Sequence, residues 1–153
     1  MNGEVRQVLA LIDEAYAGKS WHGPTLRGSL KGLTAREASW RPGPGRHSII
    51  EIALHAAYWK YTVRRRLTGA QRGSFPLAGH NWFPPGTASW KETLALLDSE
   101  HALLRGTIVQ GGLRTLRVRA GKSLRGEKLL RGIAAHDLYH AGQVQLIKRL
   151  MRR

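Results

Sequence analysis

Apolar side chains recur at intervals of three and four residues in four separate stretches of this chain. In the first stretch, Val5, Leu9, Ile12 and Tyr16 lie on one face of a predicted helix. The four predicted helices cover residues 5–16, 48–69, 89–111 and about 126 to the C-terminal end. Because no stretch shows convincing strand alternation, the pattern predicts an all-α fold, a four-helix bundle.

Proline and glycine are concentrated in two of the connections between these helices. Residues 21–45 are predicted to be a connection that contains a short helix around residues 25–33. Residues 70–88 are predicted to form a long ordered loop, and they include Phe75, Trp82 and Phe83. Loops of this length often cover functional sites, so we expect this one to lie over a pocket.

The length and composition of the chain predict one domain, over residues 1–153. The absence of cysteine excludes disulfides, thiolate metal ligands and a cysteine nucleophile. Any bound metal must therefore be held by nitrogen or oxygen. Because no apolar run reaches the length of a membrane span and the N-terminus is polar, we expect a soluble cytoplasmic protein without a membrane partner.

The charge of the chain is strongly positive, with 25 Lys and Arg against 10 Asp and Glu. Such an excess brings a nucleic-acid or acidic partner into consideration. The basic residues are nevertheless spread through the sequence, and most of them are arginine, as a GC-rich genome would produce. A solvated basic surface is therefore the favoured interpretation, and a basic helical binding module is the alternative.

Two histidines of the fourth predicted helix, His136 and His140, are four residues apart and therefore stack on one face. That face also carries Leu129, Ile133, Ile147 and Leu150, and so both rings are predicted to lie on the core side. His55 is predicted to point inward from the second helix. Three histidines would form an open site for a divalent metal ion. In the alternative, each ring is a buried histidine that is satisfied by hydrogen bonds.

Several other polar residues are candidates for a role at this site. Glu51 lies one turn before His55 and is a candidate general base, although a capping box with Ser48 is the favoured role. Gln143 is a candidate for orienting a ligand or substrate, and a cross-link within the bundle is equally favoured.

For Asp137 a supporting or surface role is favoured over a direct metal ligand, and for His101 a satisfied core position is favoured over an additional ligand. The aromatic residues Trp21, Trp40, Trp82 and Tyr139 are expected to be structural anchors, with pocket lining as the alternative.

Several motifs resemble the DinB/YfiT-like metalloenzyme family, and together they cover most of the chain. The most specific is HDLYHAGQ at residues 136–143. The others are WHGP at residues 21–24, WRP at residues 40–42, the run from Ser48 to His55, and the loop FPLAGHNWFPP at residues 75–85.

The resemblance implies a four-helix bundle with a divalent ion, zinc or nickel, held by His55, His136 and His140. It also implies a small-molecule substrate and a homodimer. Members of the family include low-molecular-weight-thiol transferases and metal-dependent hydrolases, so either reaction is expected, with such a thiol as a second candidate cofactor. A metal-binding bundle without catalysis is a further hypothesis.

Overall fold

The computed structural model describes residues 1–152, and Arg153, the last residue of the predicted domain, lies outside them. This part of the chain is all-helical, which confirms the predicted class. Its helices are α1 (Gly3–Tyr16), α2 (Leu26–Ser29), α3 (Ala35–Ser39), α4 (Ile49–Thr68), α5 (Trp90–Gly111), α6 (Leu113–Arg117) and α7 (Gly126–Met151). The only β-type pairing in residues 1–152 is an isolated antiparallel bridge between Arg119 and Arg125.

Side chains that precede α1, α2, α3, α4 and α5 accept hydrogen bonds from free N–H groups of the first turns. Ser48 and Ser89 begin α4 and α5 with capping boxes, in which Glu51 and Glu92 are the reciprocal partners. The capping box predicted at Ser48 is therefore confirmed. α4 ends at Gly69, whose φ of 71° is the left-handed conformation that glycine adopts without strain.

The four long helices pack side by side, and each contacts two of the others. α4 packs along α5 and α7, whereas α1 packs along α7 and α5. The short helices α2 and α3 lie within the connection from α1 to α4, where one helix was predicted. α2 spans a single turn of that prediction, and α3 was not predicted. No helix within residues 1–152 is both long and apolar enough to cross a membrane.

The buried face of α7 differs from the predicted one by about one residue. Leu130, rather than Leu129, is fully buried, and Leu150 is exposed. The centre of the buried face is Asp137, whose side chain forms an ion pair with Lys60 of α4. The predicted face was drawn through His136 and His140, and it therefore left out Asp137, which lies about 100° round the helix from His136. His136 consequently lies at the edge of the core, beside an open cavity.

Candidate metal centre

Three imidazole rings meet between α4 and α7. The Nε2 atom of His136 is 3.1 Å from Nε2 of His55 and 3.0 Å from Nε2 of His140. His55 and His140 are buried and His136 is half-buried. The structure therefore brings together the three residues that the sequence nominates as metal ligands.

The separation of these nitrogens agrees with that of ligands around a single ion. Metal–imidazole bonds of about 2.0–2.1 Å in a tetrahedral arrangement place two nitrogens about 3.3 Å apart. The observed separations of 3.0 and 3.1 Å are close to that value. The ligand nitrogens of all three rings lie within 4.8 Å of one another, so the three rings could hold one ion.

The hydrogen-bond partners of the outer nitrogens determine which nitrogen carries the proton in two of the rings. Nδ1 of His55 lies 3.0 Å from the backbone oxygen of Asn81. Nδ1 of His140 lies 2.7 Å from Oε1 of Gln143. Because these oxygens only accept, both Nδ1 atoms carry the N–H, and in a neutral ring Nε2 then presents its lone pair. Two lone pairs consequently point toward the nitrogen of His136.

Protons alone do not satisfy this arrangement. Nδ1 of His136 is buried and has no hydrogen-bond partner within residues 1–152. If its proton sits on Nε2, the single N–H faces two acceptors; if the proton sits on Nδ1, three lone pairs face one another. A cation among the three Nε2 atoms would satisfy every lone pair at once, and so the residues fit a metal ion.

The rings are also in the protonation state that a metal requires. Burial lowers the pKa of His55 to about 4 and that of His136 to about 3, and burial likewise lowers the pKa of His140. All three rings are therefore neutral at pH 7. A neutral ring can coordinate an ion without first losing a proton.

Comparison with protein-family models gives a match to the DinB superfamily over residues 20–144. The chain belongs to the DinB superfamily. The matched region contains all three histidines. Comparison with curated proteins and with solved structures gives no match for the chain.

A residue of the long loop holds the first histidine of this DinB-superfamily protein in place. Asn81 has a φ of 61°, in the left-handed region that asparagine tolerates better than most residues. Its backbone oxygen accepts from His55, while its side-chain oxygen accepts from Nε1 of Trp59 at 2.9 Å. Asn81 was not among the residues predicted from the sequence. Its position between His80 and Trp82, in a loop expected to cover a pocket, could have indicated that it lies near the site.

The indole of Trp82 lies between the imidazole rings of His55 and His47. Its ring stacks on His55, with centroids 3.9 Å apart, and on His47, with centroids 3.6 Å apart. The loop over residues 70–88 therefore covers one side of the histidine cluster, as predicted. Trp82 and Tyr139 line the cavity, whereas Trp21 is 97% exposed, so its predicted role as an anchor is wrong.

Glu51 has partners on both of its carboxylate oxygens. One oxygen accepts from the backbone N–H and hydroxyl of Ser48, at 2.9 and 2.7 Å. The other accepts from Arg41 at 2.7 Å and lies 3.4 Å from Nδ1 of His47. Burial raises the pKa of Glu51 and the Ser48 hydrogen bonds lower it, with a net downward shift. The carboxylate is thus engaged in capping; its predicted role as a general base stays a prediction.

Gln143 lies beside the histidine cluster and contacts one of its members. Its amide oxygen accepts from Nδ1 of His140, and its amide nitrogen donates to the hydroxyl of Tyr139 at 3.2 Å. The structure places Gln143 behind the ring of His140, where it can fix the ring's orientation and tautomer. A direct role toward substrate stays a prediction.

Asp137 and His101 lie outside the histidine cluster. Asp137 is fully buried against Lys60, so a surface role is wrong, whereas the predicted supporting role stays a prediction. His101 stacks on Tyr16, with centroids 3.8 Å apart, and its Nε2 lies 3.5 Å from Asp13. Among residues 1–152, the group able to hold a metal contains His55, His136 and His140 alone.

A cavity of about 990 Å³ opens directly over the three rings. One side is formed by the segment that precedes α4, including Arg46 and His47, and the other by the outer edge of α7, including Leu146 and Leu150. Its volume suits a small organic molecule. A ligand in this cavity would reach the side of the cluster that faces away from the core.

Proposed function

We propose that this DinB-superfamily protein is a metal-dependent enzyme that acts on a small-molecule substrate. The observation that carries the proposal is the meeting of three neutral imidazole rings. Nε2 of His136 lies 3.0–3.1 Å from Nε2 of His55 and of His140, and other groups hold the outer nitrogens of those two rings. Zinc or nickel suits an all-imidazole site. The proposed architecture is a single DinB-type four-helix bundle domain over residues 1–153.

The reaction classes that we propose are hydrolysis and transfer of a low-molecular-weight thiol. His55, His136 and His140 would hold the ion, which would act as a Lewis acid and lower the pKa of a water or a thiol bound to it. Both reactions use the same position, so the substrate decides between them. Activity screens with hydrolysable esters or amides, and with thiol and electrophile pairs, separate this proposal from a metal-binding bundle without catalysis.

The protein's own residues prepare the site for such chemistry. Asn81 and Gln143 fix the orientation of His55 and His140, so the Nε2 atoms stay aimed at one point. Trp82 covers one side of the cluster and limits the access of water. We propose that Gln143 acts mainly by positioning His140, and that Glu51 acts by holding the start of α4 together with Arg41.

The direct test is the metal content of the purified protein after incubation with zinc or nickel. We expect about one ion per chain in the wild type and no stoichiometric metal in His136→Ala or His140→Ala. His101→Ala is the matched control, because His101 is a buried histidine outside the cluster. Full metal retention in His136→Ala would refute the proposed site.

A second candidate function, binding to nucleic acid, is favoured by one segment. Residues 113–131 contain seven Lys or Arg and one acidic residue. Six of the basic side chains are exposed and form no ion pair within the described residues; they are Arg114, Arg117, Arg119, Lys122, Arg125 and Lys128.

Such a surface would bind phosphates with an affinity that falls steeply with salt and does not depend on the histidines. Absence of binding to duplex DNA or RNA at low salt would exclude it. The homodimer, the thiol cofactor and the cytoplasmic location stay predictions.

A further inference from the structure

The cavity over the histidines combines an unpaired positive charge with an apolar side. None of the described residues that line it is acidic. Arg46 and His47 belong to the side formed by the segment that precedes α4, while Leu146, Ile147 and Leu150 belong to the side formed by α7. Those two sides differ in the chemistry that they offer to a ligand.

The positive charge on the first side belongs to Arg46. The neighbouring Arg41 is paired with Glu51 at 2.7 Å, and His47 also contacts that carboxylate. Arg46 is exposed, and within residues 1–152 no carboxylate pairs with its guanidinium. An anion that enters the cavity therefore meets an arginine whose donors are free to bind it.

The apolar side of the cavity is exposed to solvent. Leu146 and Leu150 of α7 are 58% and 38% exposed. Tyr139 adds an aromatic ring that is 64% exposed. Side chains of this kind gain from contact with an apolar ligand, because contact removes their surface from water.

We propose that the substrate is an organic anion with an apolar body, bound with its acidic group on Arg46 and its apolar part along Leu146 and Leu150. This assignment rests on the proposed metal-dependent function. The reacting group of the substrate then lies over His55, His136 and His140. Arg46 is in this scheme a specificity-determining residue, and Leu146 supplies affinity that does not depend on charge.

The test compares three probes that share one chain and differ only in the head group: octanoate, octanol and octylammonium. Isothermal titration calorimetry measures the affinity of each for the zinc-loaded and the metal-free protein. We expect both forms to bind octanoate at least about tenfold more tightly than octanol, and octylammonium most weakly, since a charge-assisted hydrogen bond contributes this much or more.

Variants assign the preference to particular residues. In Arg46→Gln, the affinity for octanoate should fall to that of octanol, which is a loss of about tenfold or more. Arg36→Gln removes the same charge from α3, away from the cavity lining, and should leave the preference intact. Leu146→Ser should weaken all three probes by a similar factor.

The results distinguish the failure of this proposal from failure of the metal site. Retention of the octanoate preference by Arg46→Gln would overturn the assignment, and so would a preference that disappears when the metal is removed. Lack of binding by all three probes would overturn it as well. A protein that holds no metal but selects octanoate through Arg46 would retain the anion site and refute the metal-dependent function.

Discussion

A buried ion pair joins the two helices that carry the histidines. Lys60 of α4 and Asp137 of α7 are both 0% exposed, and the ammonium group bonds one oxygen of the carboxylate. The other carboxylate oxygen has no hydrogen-bond partner within the described residues. The lysine also lies 4.8 Å from the ring centroid of Tyr16. Asp137 directly follows His136, and so this pair supports the helix position from which that ring projects.

Removal of one member of the pair should be strongly destabilising. Lys60→Met preserves most of the volume and leaves a carboxylate in the core without its counter-charge. We expect a loss of about 3–5 kcal/mol in the free energy of unfolding at pH 7, the usual cost of breaking a buried pair. The double variant Lys60→Met/Asp137→Leu removes both charges and should recover most of that loss, because an apolar pair has no desolvation cost.

The pH dependence provides an independent check on this reasoning. Burial raises the pKa of Asp137. Without the lysine, the folded state binds a proton on this carboxyl more readily than the unfolded state does. The neutral form is therefore favoured at low pH, and its contribution to stability is lost as the pH rises through the folded pKa. Lys60→Met should accordingly be less destabilised, relative to wild type, at pH 5 than at pH 7.

Urea unfolding of the metal-free proteins, followed by circular dichroism, measures these differences directly. The metal is removed beforehand because bound ions would add their own stabilisation. A Lys60→Met variant within about 1 kcal/mol of wild type at pH 7 would show that the pair is not buried as described. A double variant as unstable as the single one would refute the explanation by an unpaired charge.

Three further predictions concern the histidines, Gln143 and two glycines. Between pH 7 and pH 5, the free energy of unfolding of the metal-free protein should fall by on the order of 2 kcal/mol for each of His55 and His136, as measured by urea unfolding. The reason is that pKa values of about 4 and 3 keep these rings neutral in the folded state, while the same rings gain protons in the unfolded state. Gln143→Leu should weaken zinc binding about 10–100-fold in a chelator competition, with little change in unfolding. Gly126→Ala should lose about 1–3 kcal/mol on thermal unfolding, since its new Cβ would lie 1.8 Å from the Thr115 backbone oxygen. Gly132→Ala, with nothing within 4 Å, should gain up to about 1 kcal/mol as the matched control.

Local patterns in the sequence were sufficient to locate the long helices and the histidines. Helical periodicity depends only on neighbouring residues, and the capping box at Ser48 lies within four consecutive positions. His136 and His140 share one face because the α-helix fixes the geometry of residues four apart. His55 could be added because its own helix also has a recognisable inward face. These predictions needed no knowledge of how the helices pack.

The tertiary structure decided what surrounds the three rings. Asn81 reaches His55 from a loop 26 residues away, and only its left-handed backbone conformation defines that contact. The sequence does not show whether an aspartate is buried or exposed. Asp137 is buried because it pairs with Lys60, which is 77 residues away in the sequence. The pairing of Arg41 with Glu51, which leaves Arg46 free, likewise depends on packing. The sequence alone determined which residues could bind a metal, because that information is local. The residues that orient the three rings, and the cavity above them, arise from contacts between distant segments. A single sequence carries no periodic signal for such contacts.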